Sequence, residues 1–180
     1  MRVIAGYAGG RKLIAPTGMD IRPTTDRMKE NLFNILAAGI YGARFLDVFS
    51  GTGAIGIEAL SRGAESAVFI DTDTMLLNKN LILTGLSEKA TVLKRDYTSA
   101  IRLLTEKRLA FDIVFMDPPY RKGLIAPAAG LISSGNLLSS RGVLAVELPP
   151  DEDPPQISDL YLYKAKRYST CVFFFYQKEI

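Results

Sequence analysis

The chain has no histidine and a single cysteine among its 180 residues. The first absence removes Ser-His and Cys-His catalysis, histidine general bases and most zinc sites. The second excludes a disulfide within one chain and fits a reducing compartment. Cys171 lies in an apolar run and reads as a buried small hydrophobe. No run of about 18 apolar residues occurs, so no membrane span is expected. The opening "MRVIAGYAGG" lacks the long apolar stretch of a secretory signal. A cytoplasmic protein without a metal is expected. Its chemistry must come from carboxylates, tyrosines, lysines or a cofactor.

The net charge is small, at +3, but it is unevenly spread. Residues 1–44 carry Arg2, Arg11, Lys12, Arg22, Arg27, Lys29 and Arg44 against Asp20, Asp26 and Glu30. The remainder is almost neutral. A basic end on a neutral body suggests contact with a polyanion.

The length predicts one domain, and the composition is ordinary for a globular protein. "RVIAGYAGGRKLIAP" reads as two short strands about a Gly-Gly turn. Residues 1–20 are therefore expected to form an N-terminal β-hairpin extension, and 21–180 the main domain. Thr24 or Thr25 can cap a helix in which Met28, Leu32, Ile35 and Leu36 recur at helical spacing, with Gly39 or Gly42 at its end. From Arg44 on, strands and helices alternate: "RFLDVF", "AIGIEALSRG", "SAVFID", "DTMLLNKNLILTG", "ATVLKR", "YTSAIRLLTEK", "FDIVFMD", "GLIAPAAGLISSG" and "GVLAVEL". This implies right-handed crossovers and an open parallel sheet with helices on both faces. "PPDEDPP" reads as a stiff, exposed, acidic connection. The aromatic stretches "DLYLYKAKRY" and "STCVFFFYQKE" then read as an antiparallel pair completing the sheet. Five parallel strands closed by a hairpin give an α/β fold of the Rossmann-like class I methyltransferase plan, with seven strands in an open, mostly parallel sheet.

Gly51-Thr52-Gly53-Ala54-Ile55-Gly56 fits G-x-G-x-x-G and sits between a strand and a helix, where a ligand is expected. Asp47 decides which ligand. A carboxylate beside the loop repels a pyrophosphate but attracts the ammonium and sulfonium of S-adenosylmethionine. Asp47 and Ser50, Gly51, Thr52 and Gly53 are therefore expected at the methionine end of that cofactor. Asp71 ends the second strand and can take the ribose hydroxyls. Asp96 and Tyr97 follow the third strand and can meet the adenine amino group and ring face.

The fourth strand runs into Asp117-Pro118-Pro119-Tyr120. Proline supplies no amide hydrogen and stiffens the turn. The Asp117 carboxylate and Pro118 carbonyl are left as acceptors, and Tyr120 offers a π face. Such a group suits a planar amine on an aromatic ring. Gripping its hydrogens frees a delocalised lone pair for in-line attack on a sulfonium methyl, and no strong base is needed. Tyr120 would stack on a base taken out of its helix or loop. Arg121 and Lys122 could hold flanking phosphates.

"RPTTDRMKENLFNIL", "DVFSGTGAIGIEALSRGA", "DPPYRKG" and "YSTCVFFFYQKE" together resemble the bacterial 16S rRNA (guanine-N2)-methyltransferases, the RsmD-like family. The resemblance spans nearly the whole chain. It implies that Arg22, Thr24, Thr25 and Arg27, within "RPTTDR", belong to a motif that closes over the cofactor. It implies Asp117 to Tyr120 as the catalytic tetrapeptide, and an early hairpin that meets RNA through Arg2, Arg11 and Lys12. The implied partner is 16S rRNA or an assembling small ribosomal subunit, and a monomer is favoured. Departures are Asp71, where the family commonly has glutamate, Ser169 within "YSTC", and the acidic connection. A DNA adenine-N6 methyltransferase and a non-catalytic RNA-binding assembly factor are the competing readings.

Overall fold

In a computed structural model, residues 1–16, 26–120 and 122–178 are described. Helix α1 spans Asp26–Ile40, so its expected capping threonines lie outside the described residues. Asp26 in its first turn complements the helix dipole. Met28, Leu32, Phe33, Leu36 and Ile40 form its buried face. Gly42, at φ +72°, turns the chain into the first strand.

The expected alternation follows: β1 Arg44–Val48, α2 Ala54–Ser61, β2 Ser66–Asp71, α3 Met75–Thr84, β3 Ala90–Lys94, α4 Tyr97–Glu106, β4 Phe111–Met116, α5 Ile125–Ser134 and β5 Leu138–Leu148. β6 Leu160–Arg167 and β7 Val172–Lys178 complete the sheet. The strand order is β3-β2-β1-β4-β5-β7-β6. β1 to β5 pair in parallel, and β7 runs antiparallel between β5 and β6. Continuous apolar runs such as Phe111–Met116 follow from this, because helices cover both faces of the central strands. One core lies under α1, α2 and α3, the other under α4 and α5. β5 starts earlier than its apolar run suggests, because a register irregularity near Phe111 lets Leu138 join the ladder.

The N-terminal arm forms a hairpin whose ladder is a single bridge, Arg2 to Lys12. Glycines at positions 6, 9 and 10 leave little strand between them. The arm is bound to α2. Glu58 accepts the Ile4 and Ala5 amides at 2.7 and 3.0 Å, and the Ser61 hydroxyl accepts the Ala8 amide at 2.9 Å. Gly6 lies against the Ser61 carbonyl, where an added Cβ would stand 1.8 Å from the oxygen. The acidic connection folds back on the sheet: Arg167 donates to the Pro150 carbonyl at 2.7 Å, and the Tyr176 hydroxyl to the Pro155 carbonyl at 2.9 Å. Among the described residues, no helix is long and apolar enough to cross a membrane.

Candidate active site

Strand order reverses between β1 and β4, so the crevice at their carboxyl ends is the natural place for a ligand. A cavity of about 750 Å³ opens there. Its wall includes Asp47, Ser50, Gly51, Thr52, Asp71, Asp96 and Tyr97 from the cofactor side, and Asp117, Pro118, Pro119, Tyr120 and Lys122 from the β4 side. The volume suits a nucleoside-sized ligand.

Asp47 is buried within β1, and its carboxylate accepts the Gly56 amide at 2.9 Å. Burial raises its pKa to about 7, with the Gly56 hydrogen bond pulling the other way and Asp71 adding a smaller push upward. A first-turn amide of α2, one of those that could cradle a pyrophosphate, is thus already taken by a carboxylate. With Asp71, Asp73, Asp96 and Asp117 around the same space, the donor set fits a cationic ligand rather than a dinucleotide. Gly53 is not part of the wall. It sits at φ +76°, where a Cβ would approach Leu77 Cδ1 to 2.2 Å, so the turn and its packing on α3 require glycine there.

Asp71 braces the loop from β2. It accepts the Gly51 amide at 2.7 Å and the Asp73 amide at 3.1 Å, and keeps further lone pairs toward the cavity. Asp96 caps α4 by accepting the Ser99 amide at 3.0 Å and its hydroxyl at 2.6 Å. The Ser99 hydroxyl, and then its amide, hold the Asp96 pKa below the usual carboxylate range. The Tyr97 ring packs 5.3 Å from that of Phe49.

Asp117 follows β4 directly. It keeps some surface on the cavity, yet enough protein surrounds its carboxyl for burial to push its pKa well up, with Glu147 and Asp47 pushing it further. The Tyr120 hydroxyl lies 3.5 Å from a carboxylate oxygen of the buried Glu147.

Arg2, Arg11, Lys12 and Arg27 lie apart from the cavity. Arg2 is paired with Asp26 at 2.9 Å. Arg11 donates to the Leu83 carbonyl at 3.1 Å and lies 5.9 Å from the Tyr7 ring centre. Lys12 and Arg27 are exposed. Arg22, Thr24, Thr25 and Arg121 lie outside the described residues. Sequence reasoning missed Met1, Pro16, Phe49, Asp73 and Arg95 in the cavity wall. Phe49 carried a faint signal as the bulky residue in a turn of small ones, and it adopts φ +65°. Met1 and Pro16 carried none, because their arrival depends on how the arm packs.

A β1 acid that occupies the helix amide, above a seven-stranded sheet of order 3-2-1-4-5-7-6, defines an S-adenosylmethionine-dependent class I methyltransferase. Residues 1–177 match the family described as conserved hypothetical protein 95. The ribosomal RNA small subunit methyltransferase D of Escherichia coli K12 is 36% identical over 180 residues, covering 99% of this chain and 90% of that protein. The protein of the same name from Haemophilus influenzae is 37% identical over 156 residues, covering 84% and 80%. The solved structure of yhhF from Escherichia coli superposes with a TM-score of 0.85 at 37% identity, covering 99% and 98%. The chain belongs to this family, that of small subunit methyltransferase D and its homologues.

Proposed function

We propose that the protein methylates the exocyclic N2 amine of a guanine in 16S rRNA. One observation carries this reading: Asp117 to Tyr120 and the loop Ser50 to Thr52 line one cavity. The cofactor supplies an electrophilic methyl group when bound. The Asp47 carboxylate attracts its ammonium, and Asp71 is placed for the ribose hydroxyls. Asp117 and the Pro118 carbonyl accept the two hydrogens of the aryl amine, fixing its lone pair in line with the methyl. Asp47 would hold the cofactor's ammonium, and positive charge there would favour the ionised form of Asp117 as the acceptor. As the N–C bond forms and the sulfonium–methyl bond breaks, the Asp117 carboxylate would stabilise the charge building on the amine nitrogen; S-adenosylhomocysteine leaves and the amine sheds one proton to solvent. Tyr120 stacks on the guanine, its hydroxyl steadied toward Glu147. Lys122 holds a flanking phosphate, and the arm, through Arg11 and Lys12, meets the RNA backbone.

The names of the curated relatives support ribosomal RNA as the substrate, and the tetrapeptide supports an aryl amine as the acceptor. Residues 1–20 are read as the RNA-side extension and 21–180 as the catalytic domain. Labelled methyl transfer to small-subunit rRNA tests this, with the wild type and Asp117→Ala side by side. Transfer by the wild type is expected, with none by the variant and S-adenosylhomocysteine affinity kept in both. Transfer to DNA instead, or RNA binding without transfer by the wild type, contradicts it.

A further inference from the structure

α3 holds a buried polar residue with no role in the reaction described above. The Asn80 side chain is fully buried. Its oxygen accepts the Ile14 amide at 2.7 Å. Its nitrogen donates to the Ile14 carbonyl at 3.1 Å and to the Thr52 carbonyl at 3.0 Å. Only one orientation of the amide satisfies one donor and two acceptors, so the hydrogen-bond network itself fixes it.

Those partners lead to two different walls of the cavity. Thr52 is in the glycine loop, and Ile14 stands two residues before Pro16 at the end of the arm. The arm's two ends are joined, because the Leu13 amide donates to the Met1 carbonyl at 3.2 Å. Met1 and Pro16 both line the cavity. The Thr52 hydroxyl also reaches the Met1 sulfur at 3.8 Å. One turn earlier on α3, Leu77 packs against Gly53.

Filling this space asks for no asparagine. A leucine of similar volume would bury more apolar surface and need no hydrogen-bond partners. What asparagine adds is a fixed relation between two stretches of main chain that, among the described residues, are otherwise bridged by the Thr52–Met1 contact.

We propose that Asn80 is a positioning residue for the cofactor, joining the arm to the glycine loop so that the two walls close on the ligand at one spacing. This rests on reading the cavity as the S-adenosylmethionine site. It adds a determinant of affinity that touches neither the cofactor nor the RNA.

Asn80→Asp tests it. The carboxylate keeps the Ile14 amide but faces the Ile14 and Thr52 carbonyls with no hydrogen to donate. The KM for S-adenosylmethionine and the Kd for S-adenosylhomocysteine are expected to rise about tenfold or more. At saturating cofactor, kcat should stay within about threefold of wild type. A residue that served stability alone would lower the active fraction, and so kcat, and leave KM and Kd unchanged; that result overturns the proposal. Amide exchange in the wild type gives a second test that needs no variant to fold. Adding S-adenosylhomocysteine is expected to slow the Ile14 amide together with Gly51 and Gly53. Protection of the loop amides alone overturns the proposal. Protection of neither overturns the reading of the cavity itself, and the inference with it.

Discussion

Asp47 and Gly56 are joined by a 2.9 Å hydrogen bond that places a buried carboxylate on the first turn of the loop helix. Burial is the larger influence, and it holds the carboxyl pKa at about 7. The ionised form is the one that attracts a cationic ligand. About half is ionised at pH 7, and the ionised fraction approaches a tenfold fall per unit well below that. S-adenosylhomocysteine, which carries an ammonium, should therefore bind more weakly as pH falls below 7, steepening toward about tenfold per unit near pH 5.5, and level off above about pH 8. Titration calorimetry across that range checks it, and a flat profile contradicts the role of Asp47.

The same carboxyl costs stability. Its folded pKa lies above the unfolded value of 3.8, so stability falls as pH rises from about 4 through 7. The full loss is on the order of 4 kcal/mol. Asp47→Asn keeps an oxygen for the Gly56 amide and no longer ionises. It should be more stable than the wild type at pH 8 by up to that amount, equal to it near pH 4, and poorer at binding the cofactor. Chemical denaturation at the two pH values gives the comparison.

Gly56→Ala sets two effects against each other. Alanine in a helix gains about 1 kcal/mol over glycine. Here its Cβ would stand 2.3 Å from one Phe69 ring carbon, 2.7 Å from another, and 3.1 Å from the Asp47 carboxylate. Overpacking of this kind costs about 1–3 kcal/mol, and the ring is itself fully buried, so it has little room to yield. A net lower melting temperature is expected.

Lys29 and Glu58 are both fully buried, 3.3 Å apart, and Glu58 also receives Arg62 at 2.7 Å. Burial pulls the Lys29 pKa down, against the upward pull of Glu58. Glu58→Ala removes the acceptor of four donors and leaves a buried ammonium, at a cost of about 3–5 kcal/mol. Lys29→Met should cost less, because Glu58 keeps Arg62 and two arm amides. In the double variant the losses should not add, and a denaturation cycle measures the difference. Additive losses would mean that the pair is not coupled.

Lys12 gives a cleaner test of RNA contact than Arg11, which already donates to the Leu83 carbonyl. Lys12→Ala should weaken RNA binding at low salt and lower the slope of log affinity against log salt by about 1. An unchanged slope places the RNA elsewhere.

The parallel core was legible because both faces of the sheet are covered, which writes strands as apolar runs separated by helical patterns. The acids near the strand ends were legible too, but not their separate duties. Asp47 lies inside its strand, Asp71 holds Gly51, and Asp96 caps a helix, and these differences depend on amide directions that appear only on folding. α2 looked like an ordinary short helix. It is buried all round, because the arm covers the side that would otherwise face water. Asn80 was invisible for a related reason. In "LNKNLIL" it resembles its exposed neighbours Asn78 and Lys79, and only the arrival of the arm buries it.

The most direct test is the identity of the nucleoside made when the protein and S-adenosylmethionine are added to rRNA from a strain lacking the enzyme. Digestion and mass spectrometry should find N2-methylguanosine at a single position in 16S rRNA. A methyl group on a ribose, on a ring nitrogen or on adenine N6 would contradict the assignment of Asp117 and Pro118 to a guanine amine.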